Sequence, residues 1–169
     1  MNAIALVVAA GRGARLGSGL PKQYHDLGGR SVLAHTLSAF AEHPAVSAVR
    51  AVIHPDDRAH YDHAAAGLRL LDPITGGNSR QASVLRGLES LAANAPNAVM
   101  IHDAARPFVS AATISASLDA LLDTVGAIAA VPVTDTLKRS DANRILGTVE
   151  RAGLWRAQTP QTFRFSDIL

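Results

Sequence analysis

Near its start the chain runs from an apolar segment straight into a glycine loop: residues 4–24 read IALVVAAGRGARLGSGLPKQY. Ile4 to Val8 has the β-branched, uninterrupted apolar character of a strand buried on both faces. The loop that follows carries Gly11, Gly13, Gly17 and Gly19 with Arg12, Arg15 and Lys22. A buried strand that empties into such a loop constrains the fold, because the loop then sits at the C-terminal edge of a sheet. Glycines let backbone N–H groups close on an anion, and guanidinium and ammonium groups supply the opposing charge. The stretch reads as a phosphate cradle, since an ordinary strand-to-helix turn requires neither this many glycines nor a cluster of cations.

Two common phosphate loops do not fit. A dinucleotide fingerprint calls for a third glycine where Leu16 stands and for an acid about 20 residues on, yet Arg30 to Thr36 holds no carboxylate. A Walker loop calls for Gly-Lys-Ser/Thr, and the chain contains no Gly-Lys pair. Gly-x-Gly-x-Arg followed by Pro21-Lys22 instead resembles the signature of nucleotidyltransferases, which join a nucleoside triphosphate to a phosphorylated metabolite.

The remaining chain alternates strand and helix patterns. Ser31 can cap a helix in which Val32, Leu33, Thr36, Leu37 and Phe40 recur at helical spacing. Residues 46–53 predict a strand, 56–66 a helix, and 68–72 a short third strand. Gly76-Gly77-Asn78-Ser79-Arg80 is a second glycine turn opening a helix with Val84, Leu85, Leu88 and Leu91 as its stripe. Residues 98–102 predict a fourth strand delivering Asp103, 110–124 a further helix, and 127–133 a fifth strand. The expectation is an α/β fold with an open, Rossmann-like, mostly parallel sheet and helices on both faces. Such a sheet gathers the glycine loop, Gly76–Arg80 and Asp103 into one crevice beyond the strand ends.

After Val133 the pattern changes. Residues 134–151 alternate polar and apolar around a turn at Ser140–Asn143, which predicts a β-hairpin arm, taken to extend over 134–158. Ser166 reads as a helix N-cap three residues before Leu169, so the 169 residues read as a single domain cut short at its C-terminus.

Composition removes several classes. At 48% hydrophobic and 18% charged the chain is globular. A formal charge of +2, with acids interspersed among the bases, gives no nucleic-acid footprint, and 4% aromatic residues leave few stacking platforms. Without cysteine there is no disulfide, thiolate metal site or cysteine nucleophile, which fits a reducing compartment. No stretch approaches the ~20 apolar residues of a membrane span, and the N-terminal run lacks the basic flank of a signal peptide. A cytoplasmic protein is expected.

Asp103, within His102-Asp103-Ala104-Ala105-Arg106-Pro107, is a carboxylate at a strand tip facing a phosphate loop. That is a natural place for Mg²⁺, a hard cation held by one or two carboxylates plus substrate phosphates. Small residues at Gly76–Ser83 let a base or ribose lie against the backbone. Lys138, Arg139 and Arg151 on the arm suit the phosphate of a second substrate. His54, His60 and His63, set among Asp56, Asp57 and Asp62, read as a solvated polar face.

The blocks AAGRGARL, PKQY, GGNSRQASV, HDAARPF, DTLKR, TVERAGLW and QTPQ occur in the order seen in the 2-C-methyl-D-erythritol 4-phosphate cytidylyltransferase family. The resemblance extends along essentially the whole chain, and its wording is similar to the N-terminal half of bifunctional forms fused to a cyclodiphosphate synthase. It implies transfer of a cytidylyl group from CTP to methylerythritol phosphate in the non-mevalonate isoprenoid route, with Mg²⁺. It implies that Ala9, Ala10, Gly11 and Gly13 line CTP, with Arg15 and Lys22 on its phosphates as catalytic residues. Gly77, Asn78 and Ser83 would read the cytidine, although the family often has an acid at position 78. Asp103 would bind the metal, and Arg106, Thr136, Arg151 and Thr159 the methylerythritol phosphate. The resemblance also implies a homodimer in which Thr136 and Arg151 of the exchanged arm serve the neighbour's site. Family members continue beyond the position of Leu169, with a further acid and lysine. Two alternatives stay open: a sibling enzyme acting on ribitol or sugar phosphates, and a nucleotide-binding module without turnover.

Overall fold

The first strand, β1 (Ala3–Val8), explains its own sequence. Ala3, Ala5 and Val7 point into one cluster of buried side chains, and Ile4 and Leu6 into a second on the opposite face. A strand buried on both sides needs apolar residues at every position rather than at alternate ones. The computed structural model describes residues 2–12 and 19–169.

A 3₁₀ turn at Lys22–Tyr24 and a small ribbon, β2 (Asp26–Leu27) and β3 (Arg30–Ser31), lead into α1 (Val32–Ala41). As expected, Ser31 caps α1, its hydroxyl accepting from the Ala34 N–H. Then follow β4 (Ala48–Ile53), a 3₁₀ turn at Pro55–Asp57, α2 (Arg58–Ala65), β5 (Ile74–Thr75), α3 (Arg80–Leu91) and β6 (Ala98–Asp103). The chain continues through α4 (Ala111–Asp119), β7 (Gly126–Pro132), the hairpin β8 (Leu137–Asp141) and β9 (Arg144–Val149), then β10 (Trp155–Arg164) and a last turn α5 (Phe165–Ile168).

The main sheet has the order β5-β4-β1-β6-β10-β7. Pairings among β5, β4, β1 and β6 are parallel, and β10 runs antiparallel to both β6 and β7. Side chains of α1, α2 and α4 pack into the first cluster, and those of α3 and α5 into the second. The mostly parallel sheet covered on both faces agrees with the expectation.

Four details differ from it. Residues 68–72 form no strand: Leu71 N–H bonds once to the Val49 carbonyl at 2.9 Å, and the ladder forms only at Ile74–Thr75, after Pro73. Proline has no N–H to give a ladder. The helices expected over 56–66 and 110–124 are α-helical over Arg58–Ala65 and Ala111–Asp119, with 3₁₀ turns at their margins. Trp155 to Ala157 pair with Pro132 to Ala130 of β7, so the end of the stretch expected in the arm belongs to the main sheet. Ser166 lies inside α5, whose N-cap is Arg164, and its hydroxyl donates to Asp167 instead of accepting a helix N–H as a cap would. The hairpin itself lies where expected: its turn, Ala142-Asn143, takes φ of 42° and 66°, the left-handed pair that a two-residue hairpin loop requires.

Candidate functional site

The register of two neighbouring strands builds the site. Val8, the last residue of β1, stands opposite Asp103, the last of β6, and Ala104 N–H donates to the Val8 carbonyl at 3.1 Å. The small-residue exit of β1 therefore lies beside the carboxylate at the tip of β6. α3 starts on the same edge. Together they enclose a cleft of about 700 Å³, lined by Val8–Arg12, Lys22, Gln23, His54, Gly77–Arg80, Ser83 and Asp103–Arg106.

Packing explains the small residues. A methyl on Gly76 would stand 2.4 Å from the Ala10 Cβ and 2.8 Å from the Ser83 Oγ, and one on Gly77 would stand 2.5 Å from the Ala82 Cβ. The turn before α3 thus approaches the β1 loop more closely than any side chain permits. Ser83 is buried, and its Oγ accepts from Gly77 N–H at 3.0 Å and lies 2.9 Å from the Ser79 carbonyl. It shapes the turn from beneath. Gln23, also buried, donates to the Ala9 and Gly11 carbonyls at 2.7 and 3.1 Å, fixing the path of the chain out of β1.

Asp103 holds two guanidiniums. Arg80 Nε donates to one carboxylate oxygen and Arg106 Nε to the other, each at 3.1 Å. Burial by itself pushes this carboxyl up, but the hydrogen bonds and charges of Arg106 and Arg80 outweigh it and hold the group below its ordinary value. The loop beneath is fixed from three sides. His102, fully buried and edge-on to Phe40, donates through Nε2 to the Arg106 carbonyl at 3.0 Å. Thr36 of α1 donates to the Ala104 carbonyl at 2.9 Å, and the Asp103 N–H donates to the Thr159 hydroxyl at 3.2 Å. Burial lowers the His102 ring below its ordinary value, so the neutral form is the one that fits here.

Of the residues expected in the site, Ala9, Ala10, Gly11, Lys22, Gly77, Asn78, Ser83, Asp103 and Arg106 line this one cleft. Gly13 and Arg15 lie outside the described residues. Thr159 is buried behind Asp103 as its hydrogen-bond partner and is not part of the lining. Thr136 and Arg151 are exposed at the base of the arm, where Arg151 bonds the Thr134 carbonyl, and they do not line the cleft. Sequence reasoning missed Arg80 and Gln23 as site residues. Their positions, just after Ser79, whose hydroxyl caps α3 by accepting from the Ala82 N–H at 3.0 Å, and within the PKQY block, were the available signals. Arg12 reads in the sequence as a phosphate-facing cation, but its guanidinium is held by Asp56 at 2.6 Å and approaches Asp57 at 3.4 Å.

Among the described residues no group of three His, Cys, Asp or Glu side chains could cage a metal. A single carboxylate at a strand tip does fit Mg²⁺ in its substrate-bridging form, in which phosphates and water complete the shell. The cleft lining carries four cations, Arg12, Lys22, Arg80 and Arg106, against one carboxylate, Asp103, a balance suited to a polyanion. Among the described residues no helix is long and apolar enough to cross a membrane.

Known proteins resemble this chain in sequence and in fold. Residues 3–169 match the family described as "IspD: 2-C-methyl-D-erythritol 4-phosphate cytidylyltransferase". A bifunctional enzyme IspD/IspF of Paramagnetospirillum magneticum is 58% identical over 166 residues, which are 98% of this chain and 43% of that protein. The chain thus spans less than half the length of that relative and matches its IspD part. A 2-C-methyl-D-erythritol 4-phosphate cytidylyltransferase of Cereibacter sphaeroides is 50% identical, over 100% of this chain and 76% of that one. Among solved structures, the 4-diphosphocytidyl-2C-methyl-D-erythritol synthase of Anaerococcus prevotii superposes with a TM-score of 0.84 at 27% identity, covering 99% of this chain and 73% of that one. The 2-C-methyl-D-erythritol 4-phosphate cytidylyltransferase of Thermus thermophilus gives 0.77 at 32% identity, covering 98% and 72%. The chain belongs to the IspD family, the 2-C-methyl-D-erythritol 4-phosphate cytidylyltransferases.

Proposed function

We propose that the protein transfers a cytidylyl group from CTP to 2-C-methyl-D-erythritol 4-phosphate, releasing pyrophosphate and forming 4-diphosphocytidyl-2-C-methyl-D-erythritol. The observation that carries this reading is the register that sets Asp103 beside the small-residue exit of β1, in a cleft rich in cations. In the step itself, an oxygen of the acceptor phosphate forms a bond to the α-phosphorus of CTP. The bond from that phosphorus to the bridging oxygen breaks, and pyrophosphate leaves with the electron pair. A phosphate monoester with its second pKa near ~6 is largely dianionic at neutral pH and needs no general base. What such a reaction requires is alignment of two polyanions and neutralisation of their charge.

This chain's residues divide those tasks. Ala9 to Gly11 and Gly77 leave room for the nucleotide against the backbone, and Asn78 stands at the rim of the same pocket. Lys22, with Arg15 in the role that the family resemblance implies, neutralises the triphosphate. Arg80 and Arg106 supply further positive charge beside Asp103. Asp103 would hold Mg²⁺, which when bound neutralises phosphate oxygens. Thr136, Arg151 and Thr159 bear on the acceptor, Thr159 through its bond to the Asp103 backbone.

We further propose a homodimer formed through the arm, supported by the exposed apolar side chains Ile145 and Leu146 along it, and a cytoplasmic location, which a cysteine-free chain suits. Sedimentation of the full-length protein tests the dimer. Pyrophosphate release with CTP and a panel of phosphorylated acceptors tests the reaction. Preference for ribitol or sugar phosphates would reassign the acceptor, and nucleotide binding without release from any acceptor would leave a binding module.

A further inference from the structure

Arg12, at the β1 exit, has acidic surroundings. Its Nη2 lies 2.6 Å from Asp56 Oδ2 and 2.7 Å from His54 Nδ1, and its Nη1 lies 3.4 Å from Asp57 Oδ1. The Asp56 backbone N–H also points at His54 Nδ1, at 3.2 Å. Arg12 Nη2 and the Asp56 N–H can only donate, so Nδ1 accepts from both. Asp57 is 2% exposed, and its other carboxylate oxygen is buried without a hydrogen-bond partner. A buried carboxylate is costly unless a cation answers it, and among the described residues Arg12 is the cation in reach.

We propose that Arg12 is a positioning residue: a guanidinium latch that pins the start of the glycine loop to the β4–α2 turn, and not a ligand of the nucleotide phosphates. Four further hydrogen bonds give the latch its lever. Ala9 N–H bonds the Val52 carbonyl at 2.7 Å, and Gly76 N–H bonds the Ile53 carbonyl at 2.8 Å. Gln23 holds the Ala9 and Gly11 carbonyls from the other side. Gly11 is therefore held by Gln23 through its carbonyl and by Arg12 through the next side chain. Only a planar, forked guanidinium can meet three acceptors on one turn, and a lysine ammonium reaches them as a single point charge. The proposal rests on the reading of this cleft as a nucleotide site.

The two roles for Arg12 differ in sign. If Arg12 bound phosphate and the acids merely restrained it, Asp56→Asn would release it and tighten CTP binding. The latch predicts the reverse: Asp56→Asn and Arg12→Gln each weaken CTP binding about tenfold, the scale of one charge-assisted hydrogen bond. Arg12→Lys fails to restore it. The KM for CTP rises, while kcat and the KM for the acceptor stay within about twofold, on the same scale. Asp57→Asn acts in the same direction, and Asp56, whose side chain is largely exposed, keeps the test valid if the buried substitution does not fold. Titration calorimetry and steady-state kinetics on the full-length protein give these values. Tighter binding in Asp56→Asn, or full rescue by Arg12→Lys, overturns the latch. A readout without ligand separates this proposal from the nucleotide reading: amide exchange at Ala10, Gly11 and Arg12 speeds up in Asp56→Asn while that of α3 does not change. If exchange responds and no nucleotide binds the wild type, the nucleotide reading falls and the latch stands. If exchange does not respond, the latch falls.

Discussion

Arg106 Nε donates to Asp103 Oδ2 at 3.1 Å, from three residues further along the same turn. With Arg80 on the other oxygen, the carboxylate that would meet a metal is held by two cations before any ligand arrives. Asp103 has two tasks: it orders Arg80 and Arg106, and it limits how much positive charge the cleft presents.

Asp103→Asn separates those tasks. Removing the charge releases both guanidiniums, so CTP without metal, measured by calorimetry in chelator, binds more tightly than to the wild type. Transfer with Mg²⁺ present falls by on the order of 10²–10³, the scale seen when one preorganised electrostatic group is lost. Weaker binding in chelator would show that Asp103 does not restrain the two arginines.

His102 gives the protein a pH dependence with a definite sign. Burial, the dominant influence, lowers its native pKa, so below the ordinary value of 6.5 the unfolded chain binds the proton more readily than the native one. Its contribution is complete above about that value and is lost as pH falls toward the depressed native pKa. Asp103, also depressed, adds a second loss at lower pH, below its ordinary value of 3.8. Denaturant melts of the wild type between pH 7 and pH 5 lose stability on acidification, and His102→Gln, which retains an N–H donor for the Arg106 carbonyl, has a shallower slope. Equal slopes contradict the assignment.

Gly76→Ala tests the close approach of the two glycine turns. Its methyl meets Ala10 and Ser83 at distances that require movement, and overpacking of this kind costs about 1–3 kcal/mol. Because the displaced partner is the β1 exit, CTP affinity falls together with thermal stability. A variant destabilised to that extent with unchanged CTP affinity would show that the contact does not shape the site.

Thr159→Val replaces a hydroxyl by a methyl of nearly the same shape and leaves the Asp103 N–H without its acceptor, at a cost of about 1–3 kcal/mol. If Thr159 acts through Asp103, kcat falls and the KM for the acceptor is little changed. A rise confined to the acceptor KM would instead make Thr159 a direct acceptor contact.

How much of this was legible follows from where each residue's partners come from. β1, β6, the Ser31 cap and the hairpin turn within Ser140–Asn143 are written in local chemistry, so length, apolar content and turn residues located them. β10 is not local. Its centre carries Thr159, Pro160, Gln161 and Thr162, a polar stretch with no alternation. It is buried because Thr162 bonds Ser117 of α4 at 3.0 Å and Thr159 receives the Asp103 N–H. Those partners lie 45 and 56 residues away in the chain, so no window of sequence reveals them. The same limit explains Arg12: a cation among glycines looks like a phosphate ligand until the fold brings Asp56 and Asp57 to it. Asp103 was legible because a carboxylate at the end of an apolar strand faces whatever the neighbouring strand's loop presents.

The most direct test of the account follows pyrophosphate release by the full-length protein with CTP, 2-C-methyl-D-erythritol 4-phosphate and Mg²⁺, beside the Asp103→Asn variant, with the product identified by phosphorus NMR. The account predicts release that requires both substrates, a diphosphate-bridged cytidyl product, and loss of both in the variant. Release that persists undiminished in Asp103→Asn, or that appears with ribitol phosphate and not with methylerythritol phosphate, would contradict it.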